Sequence, residues 1–179
     1  MSNLYKVPTL LIIRGLPGTG KTSLASMICA FNNSEIKTLS LDDYRYMEYN
    51  GQDYWFDNTL ISWHVKALHN DLEDAFRKEY KLIIIHNTHT RLSEYAQAKK
   101  LAEQYKYRVM VINMEYESFD VLCERSVSGG KLLDRKKMQW MRDRWQYIVN
   151  PKPLSWYTYR IGKFFRKIRR SISGGRKAT

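Results

Sequence analysis

Cysteine is scarce in this chain: Cys29 and Cys123 are the only two among 179 residues. Each sits inside an apolar, helix-like pattern, which excludes a disulfide framework or a cysteine metal set and reads as free thiols in a reducing cytoplasm. The first thirteen residues lack a sufficient apolar run, holding a Lys, a Pro and then only five strand-like positions. They predict neither a signal peptide nor a membrane span. Histidines number four; His86 and His89 stand three apart on a loop without a third ligand, too little for a metal site. Acid is missing from residues 151–179, which carry nine Lys and Arg, so most of the net charge of +12 lies there. The remaining 150 residues are close to balanced.

What is present is a chain long enough for one domain with a real core, 44% hydrophobic. Its organising stretch is Gly15-Leu16-Pro17-Gly18-Thr19-Gly20-Lys21-Thr22, followed by Ser23, a full match to G-x-x-x-x-G-K-[ST]. The apolar run Thr9–Arg14 precedes it as a buried strand, and Leu24, Ile28 and Phe31 follow at helical spacing. Glycines allow the backbone to curl into a nest of N–H groups, and the new helix adds its positive end. In such a loop Lys21 reaches the β- and γ-phosphates and Thr22 binds Mg²⁺, so the motif predicts ATP binding.

Further strands are predicted over 35–41, 81–86 and 107–113, and helices over 60–80, 92–105, 118–126 and 134–147. Asp57, Asn58 and Thr59 offer caps for the first of these helices, with Leu60, Trp63, Ala67, Leu68, Leu72, Ala75 and Phe76 as its apolar series. Strands alternating with helices predict an α/β fold, three layers around a central, mainly parallel sheet of four to five strands. Its ligands belong at the carboxyl ends of the strands. Asn150-Pro151-Lys152-Pro153 divides a domain over 1–150 from a basic tail over 151–179. Within the tail, Ile161, Phe164, Phe165, Ile168 and Ile172 form one stripe opposite Arg and Lys. Such a helix over 160–172 can track nucleic-acid phosphates, lie on an anionic membrane surface or dock on an acidic partner.

Asp42 and Asp43 close the predicted second strand, where a carboxylate could accept the proton of an attacking hydroxyl while its neighbour serves a cap or solvent. Arg45 follows within reach of an acceptor phosphate or of the same carboxylate. The aromatic cluster Tyr44, Tyr46, Tyr49, Tyr54, Trp55 and Phe56 suits stacking on an acceptor base, or packing of the long helix on the core.

Gly15–Thr22, Leu41-Asp42-Asp43-Tyr44-Arg45 and Ile83-Ile84-Ile85-His86-Asn87-Thr88 come in an order and spacing that resembles the polynucleotide 5′-hydroxyl kinase-like group of P-loop kinases. This group includes phage-type end-healing kinases. The resemblance covers about residues 8–148, and it implies ATP with Mg²⁺ on Lys21 and Thr22, and Asp42 as general base. It further implies Arg45 on the acceptor, Asn87 near the acceptor hydroxyl and Arg125 in a lid over ATP. Members often carry Asp near the end of the third strand, where this chain has His86 and Asn87. A further lid Arg falls about where this chain has Gly129, with Lys131 or Arg135 as substitutes. The implied function is phosphoryl transfer to a hydroxyl of a nucleic acid, at a 5′ end or on a modified base. A small-molecule kinase, or a low-turnover nucleotide-binding adaptor tethered by the tail, are the alternatives.

Overall fold

Thr9–Arg14 forms the strand β1, all six of its residues buried, and it becomes the centre of the sheet. The structure, a computed structural model, describes residues 7–30, 33–47, 58–116, 118–128 and 133–148. The basic tail over 151–179, Gly129, Lys131, Tyr49, Tyr54, Trp55 and Phe56 lie outside the described residues, as do the side chains of Arg45 and Tyr46.

After β1 come α1 (Lys21–Cys29), β2 (Ile36–Leu39), α2 (Leu41–Met47), α3 (Ile61–Arg77) and β3 (Leu82–Asn87). The series ends with α4 (Ala96–Gln104), β4 (Arg108–Asn113), α5 (Phe119–Ser128) and α6 (Arg135–Asp143). The strands make one four-stranded sheet in the order β2-β3-β1-β4, every pair parallel. β1 is flanked on both sides, with Arg14 in register with Asn87 of β3 and with Asn113 of β4. All four carboxyl ends therefore meet on one edge.

Alternation along each strand divides the core between the two faces. Leu10, Ile12, Ile83, Ile85 and Val109 pack with Leu68, Leu72 and Phe76 of α3 and Ala98 and Ala102 of α4. Leu11, Ile13, Leu82, Ile84 and Ile112 pack with Leu24 and Ala25 of α1 on the other face. The three expected layers follow. Phe76 is 1% exposed and lies against the rings of Tyr105 and Tyr107, at centroid distances of 5.3 and 4.7 Å. Phe76→Ala should cost about 3–5 kcal/mol of unfolding free energy, the range for emptying an aromatic core site; urea unfolding of both chains measures it.

Several boundaries differ from those expected. The second strand stops at Leu39, and Leu41–Met47 is a helix. Ser40 caps that helix: its hydroxyl accepts from Asp42 N (3.2 Å), and its own N–H donates to the Asp43 carboxylate (3.0 Å). The Asp pair is thus in a first helical turn and not at a strand end. α3 starts without a side-chain cap, behind a 3₁₀ turn over Asn58–Leu60. Its buried stripe is His64, Leu68, Leu72, Ala75 and Phe76, whereas Trp63 is 56% exposed. The helix expected over 92–105 opens as a 3₁₀ turn, Leu92–Tyr95, before α4. The last helix starts on an Asp134 cap that accepts from Lys137 N, and ends at Asp143 instead of running to Tyr147. Tyr44 packs inside: it is 7% exposed, and its hydroxyl donates to Asp71 of α3 at 2.6 Å. Cys29 and Cys123 are free and half-buried.

Candidate active site

The loop between β1 and α1 has the backbone its glycines allow. Gly18 and Gly20 adopt φ of 82° and 87°, in the left-handed region. A Cβ on Gly15 would fall 2.6 Å from Thr19 Oγ1 and 2.7 Å from Met114 Cβ, so only glycine fits there. Pro17 completes the turn, and the Thr19 hydroxyl and N–H both donate to the Leu16 carbonyl, at 2.8 and 3.3 Å. Thr22 and Ser23 stand exposed in the first turn of α1. Lys21 is 6% exposed, and its ammonium donates to the carbonyls of Gly15 (2.8 Å) and Leu16 (2.9 Å). A cation held over a curled backbone at the start of a helix is a site for phosphate oxygens.

Gly18 also sets how closely α5 approaches. A Cβ there would lie 2.9 Å from the Leu122 carbonyl and 3.3 Å from Arg125 Cβ. Leu16 packs with Leu122, Leu133 and Met138, joining α5 and α6 to the loop. Arg125, exposed on α5, therefore stands beside the phosphate loop. Gly18→Ala strains φ and presses on a backbone carbonyl together, so nucleotide affinity should fall about tenfold or more. Calorimetric titration with ATP and Mg²⁺ tests this.

Across the edge, Asn87 ties β3 to the turn carrying the carboxylates. Its Oδ1 accepts from Leu41 N at 2.8 Å and from the Ser40 hydroxyl at 3.4 Å. Its Nδ2 is buried and meets no partner among the described residues. Asp43 is engaged as the cap, while Asp42 is half-buried on the same turn. Tyr44 anchors the helix from behind, and burial, followed by the hydrogen bond to Asp71, pushes its hydroxyl pKa up.

Two buried groups at this edge were not among the predicted site residues. Arg14, taken as the end of an apolar strand, is fully buried, and burial lowers its pKa. Its Nη2 donates to the carbonyls of Thr90 (3.1 Å) and Gln146 (2.8 Å). His89 is 7% exposed with φ of 46°. Burial first, then the charges of Arg14, Lys21 and His69, bring its pKa down to about 3, so its imidazole is neutral. Beyond β4 a cavity of about 250 Å³ opens beside the loop, lined by Leu16, Asn113, Met114, Arg142, Trp145 and Tyr147 among others.

The model of the AAA_33 family, an AAA domain, matches residues 10–128. The 2′,3′-cyclic-nucleotide 3′-phosphodiesterase of Rattus norvegicus is 29% identical over 112 residues, 63% of this chain and 25% of that protein. The chain spans a quarter or less of the length of the curated relatives it matches. A candidate kinase from Chloroflexus aurantiacus superposes with a TM-score of 0.65 at 19% identity, over 96% of this chain and 100% of that one. A chain of the Pnkp1/Rnl/Hen1 RNA repair complex gives 0.61 at 18% identity, covering 86% of this chain and 51% of its own. A gluconokinase from Sinorhizobium meliloti 1021 gives 0.55 at 15%, over 94% and 91%. At such identities the likeness is one of fold, and the fold is that of P-loop kinases.

Proposed function

Since the chain belongs to this AAA domain family, we propose that it is an ATP-dependent phosphotransferase whose acceptor is a hydroxyl of a nucleic acid. One observation carries the proposal: the Lys21 loop and the capped Asp42 turn occupy the same sheet edge, joined through Asn87. Phosphoryl transfer needs a triphosphate cradle and a nearby base, and little other protein chemistry.

In this reading the triphosphate lies on Gly15–Thr22, with Lys21 turning from the loop carbonyls to the β- and γ-oxygens. The base enters the cavity beyond β4. Asp42 takes the proton of the acceptor hydroxyl as its oxygen bonds to the γ-phosphorus and the bond to ADP breaks. Asn87, with a buried donor that meets no partner among the described residues, suits the acceptor oxygen, and Arg45 the acceptor phosphate. Arg125, on the helix packed against Gly18, closes over the transferring group. The exposed Thr22 hydroxyl is a hard oxygen donor, and so sparse a protein contribution suits Mg²⁺ held mainly by phosphates. Bound there, such an ion would offset the negative charge of the phosphates.

A nucleic-acid acceptor is supported by the fold likeness to the RNA repair chain and by the basic tail. A small-molecule acceptor is the second reading, supported by the likeness to the gluconokinase. The experiment is transfer of label from γ-labelled ATP to 5′-hydroxyl DNA and RNA, to duplex DNA with and without hydroxymethylated bases, and to free nucleosides and sugar acids. Label on a nucleic acid is expected. Label on a small acceptor alone would move the acceptor class, and ATP binding without any transfer would leave a nucleotide-binding adaptor.

A further inference from the structure

We propose that Arg14 is a positioning residue for the nucleotide's base, acting through Trp145, which it holds as one wall of the cavity beyond β4. The proposal rests on the reading above, in which the phosphates of a nucleotide occupy the Lys21 loop. α6 ends at Asp143, and the next residues turn back to the sheet edge. They are fastened there repeatedly. Gln146 N–H donates to the Thr90 carbonyl at 2.8 Å, and Leu92 N–H donates to Gln146 Oε1 at 2.9 Å. Arg144 pairs with Glu94, which also accepts from the Thr90 hydroxyl at 3.2 Å. Arg14 is the centre of this set: besides its bonds to the Thr90 and Gln146 carbonyls, its guanidinium lies 4.2 Å from the centroid of the Trp145 ring. Tyr95 flanks it on another side at 5.7 Å.

Arg14 immediately precedes Gly15, whose N–H donates to the Thr88 carbonyl at 3.2 Å. The phosphate loop and the cavity wall thus hang from one strand end and one turn, which fixes their spacing. A cavity of about 250 Å³ lies below the range of roughly 300–1,000 Å³ typical of drug-sized sites, and suits a single base more than a whole nucleotide. Tyr147, 76% exposed, and Arg142 line it beside Trp145, offering planar groups to a planar ligand.

Stability alone does not call for an arginine here. Its Nε and Nη1 make no well-formed hydrogen bond among the described residues, only a weaker interaction with Tyr95, and an unbranched apolar side chain of similar length would avoid burying the charge. The Thr90 carbonyl would keep its bond from Gln146 N. Arg14→Met should therefore melt close to the wild-type temperature while the wall beside the base loosens.

The test compares two ligands on the full chain, ATP with Mg²⁺ and inorganic tripolyphosphate with Mg²⁺, by calorimetry. Arg14→Met is expected to weaken ATP about tenfold, in the range for losing an ordered aromatic contact with a base. Tripolyphosphate, which has no base, should bind as before. Trp145→Leu should behave alike, and the double variant should be no weaker for ATP than either single one. Should Arg14→Met fail to fold, Arg14→Lys, which keeps the charge but loses the planar fork, takes its place in the comparison. Equal loss of both ligands, or additive losses in the double variant, would overturn the proposal. A wild-type chain that binds neither ligand would instead overturn the nucleotide reading, and this one with it.

Discussion

Lys21→Ala should lower γ-phosphoryl transfer about a thousandfold, the scale on which removing one preorganised charge stabiliser acts. In the structure the ammonium, 6% exposed, rests on the carbonyls of Gly15 and Leu16. Those weak acceptors yield to phosphate oxygens: at 4 Å and an effective dielectric near 20, a unit charge pair gains roughly 4 kcal/mol. The gain grows as negative charge develops toward the leaving group, so the rate should suffer more than the affinity. Loss of the fold does not explain such an effect, because burying an ammonium is itself costly and its removal relieves that cost. Single-turnover transfer, with circular dichroism on the same sample, separates the two. A variant within tenfold of the wild-type rate would exclude Lys21 from the chemistry.

The adjacent carboxylates should part company. Asp42→Asn should reduce kcat about a hundredfold to ten-thousandfold, the range for a general base, with the KM for ATP nearly unchanged. Asp43→Ala should instead cost about 0.5–2 kcal/mol of stability, as lost helix caps do, and leave kcat close to normal. The difference follows from one contact: the Asp43 carboxylate accepts from Ser40 N at 3.0 Å, whereas Asp42 stands a residue earlier on the turn that Asn87 ties to β3. Steady-state kinetics and urea unfolding of both variants test it. A kcat loss in Asp43→Ala equal to that in Asp42→Asn would mean that the whole turn, rather than one oxygen, had been disturbed.

The features most legible in the chain are those encoded by neighbours. The apolar run of β1, the glycines after it and the Lys-Thr pair lie within fourteen consecutive residues and specify strand, nest and helix together. The strand–helix alternation gave the layers for the same reason. The second helix was hidden although its signal was present: Ser40-Leu41-Asp42-Asp43 is a capping pattern, but the apolar residues before it extend the strand reading past Leu39. Trp63 was placed on the buried stripe of α3, yet packing chose His64 instead, one position further round the helix. Arg14 was least legible of all. Its burial depends on Thr90 and Gln146, 76 and 132 residues away, and no local pattern announces partners so distant. The shortening of α6 has the same source, since residues beyond Asp143 follow contacts with the turn after β3 in place of helical periodicity.

Those distances also bear on how the domain is made. β1 is the earliest of the described strands to be synthesised, yet both its neighbours arrive late, with Leu82–Asn87 on one side and Arg108–Asn113 on the other. No hairpin can shelter it in the meantime, because parallel pairing requires a crossover. An apolar strand must wait on the ribosome while some seventy residues follow it, at a rate of about 5–20 residues per second. The bond from Arg14 to Gln146 can close only when nearly the whole described chain has emerged. Of the described residues, the phosphate loop is thus among the first translated and among the last to be held in place.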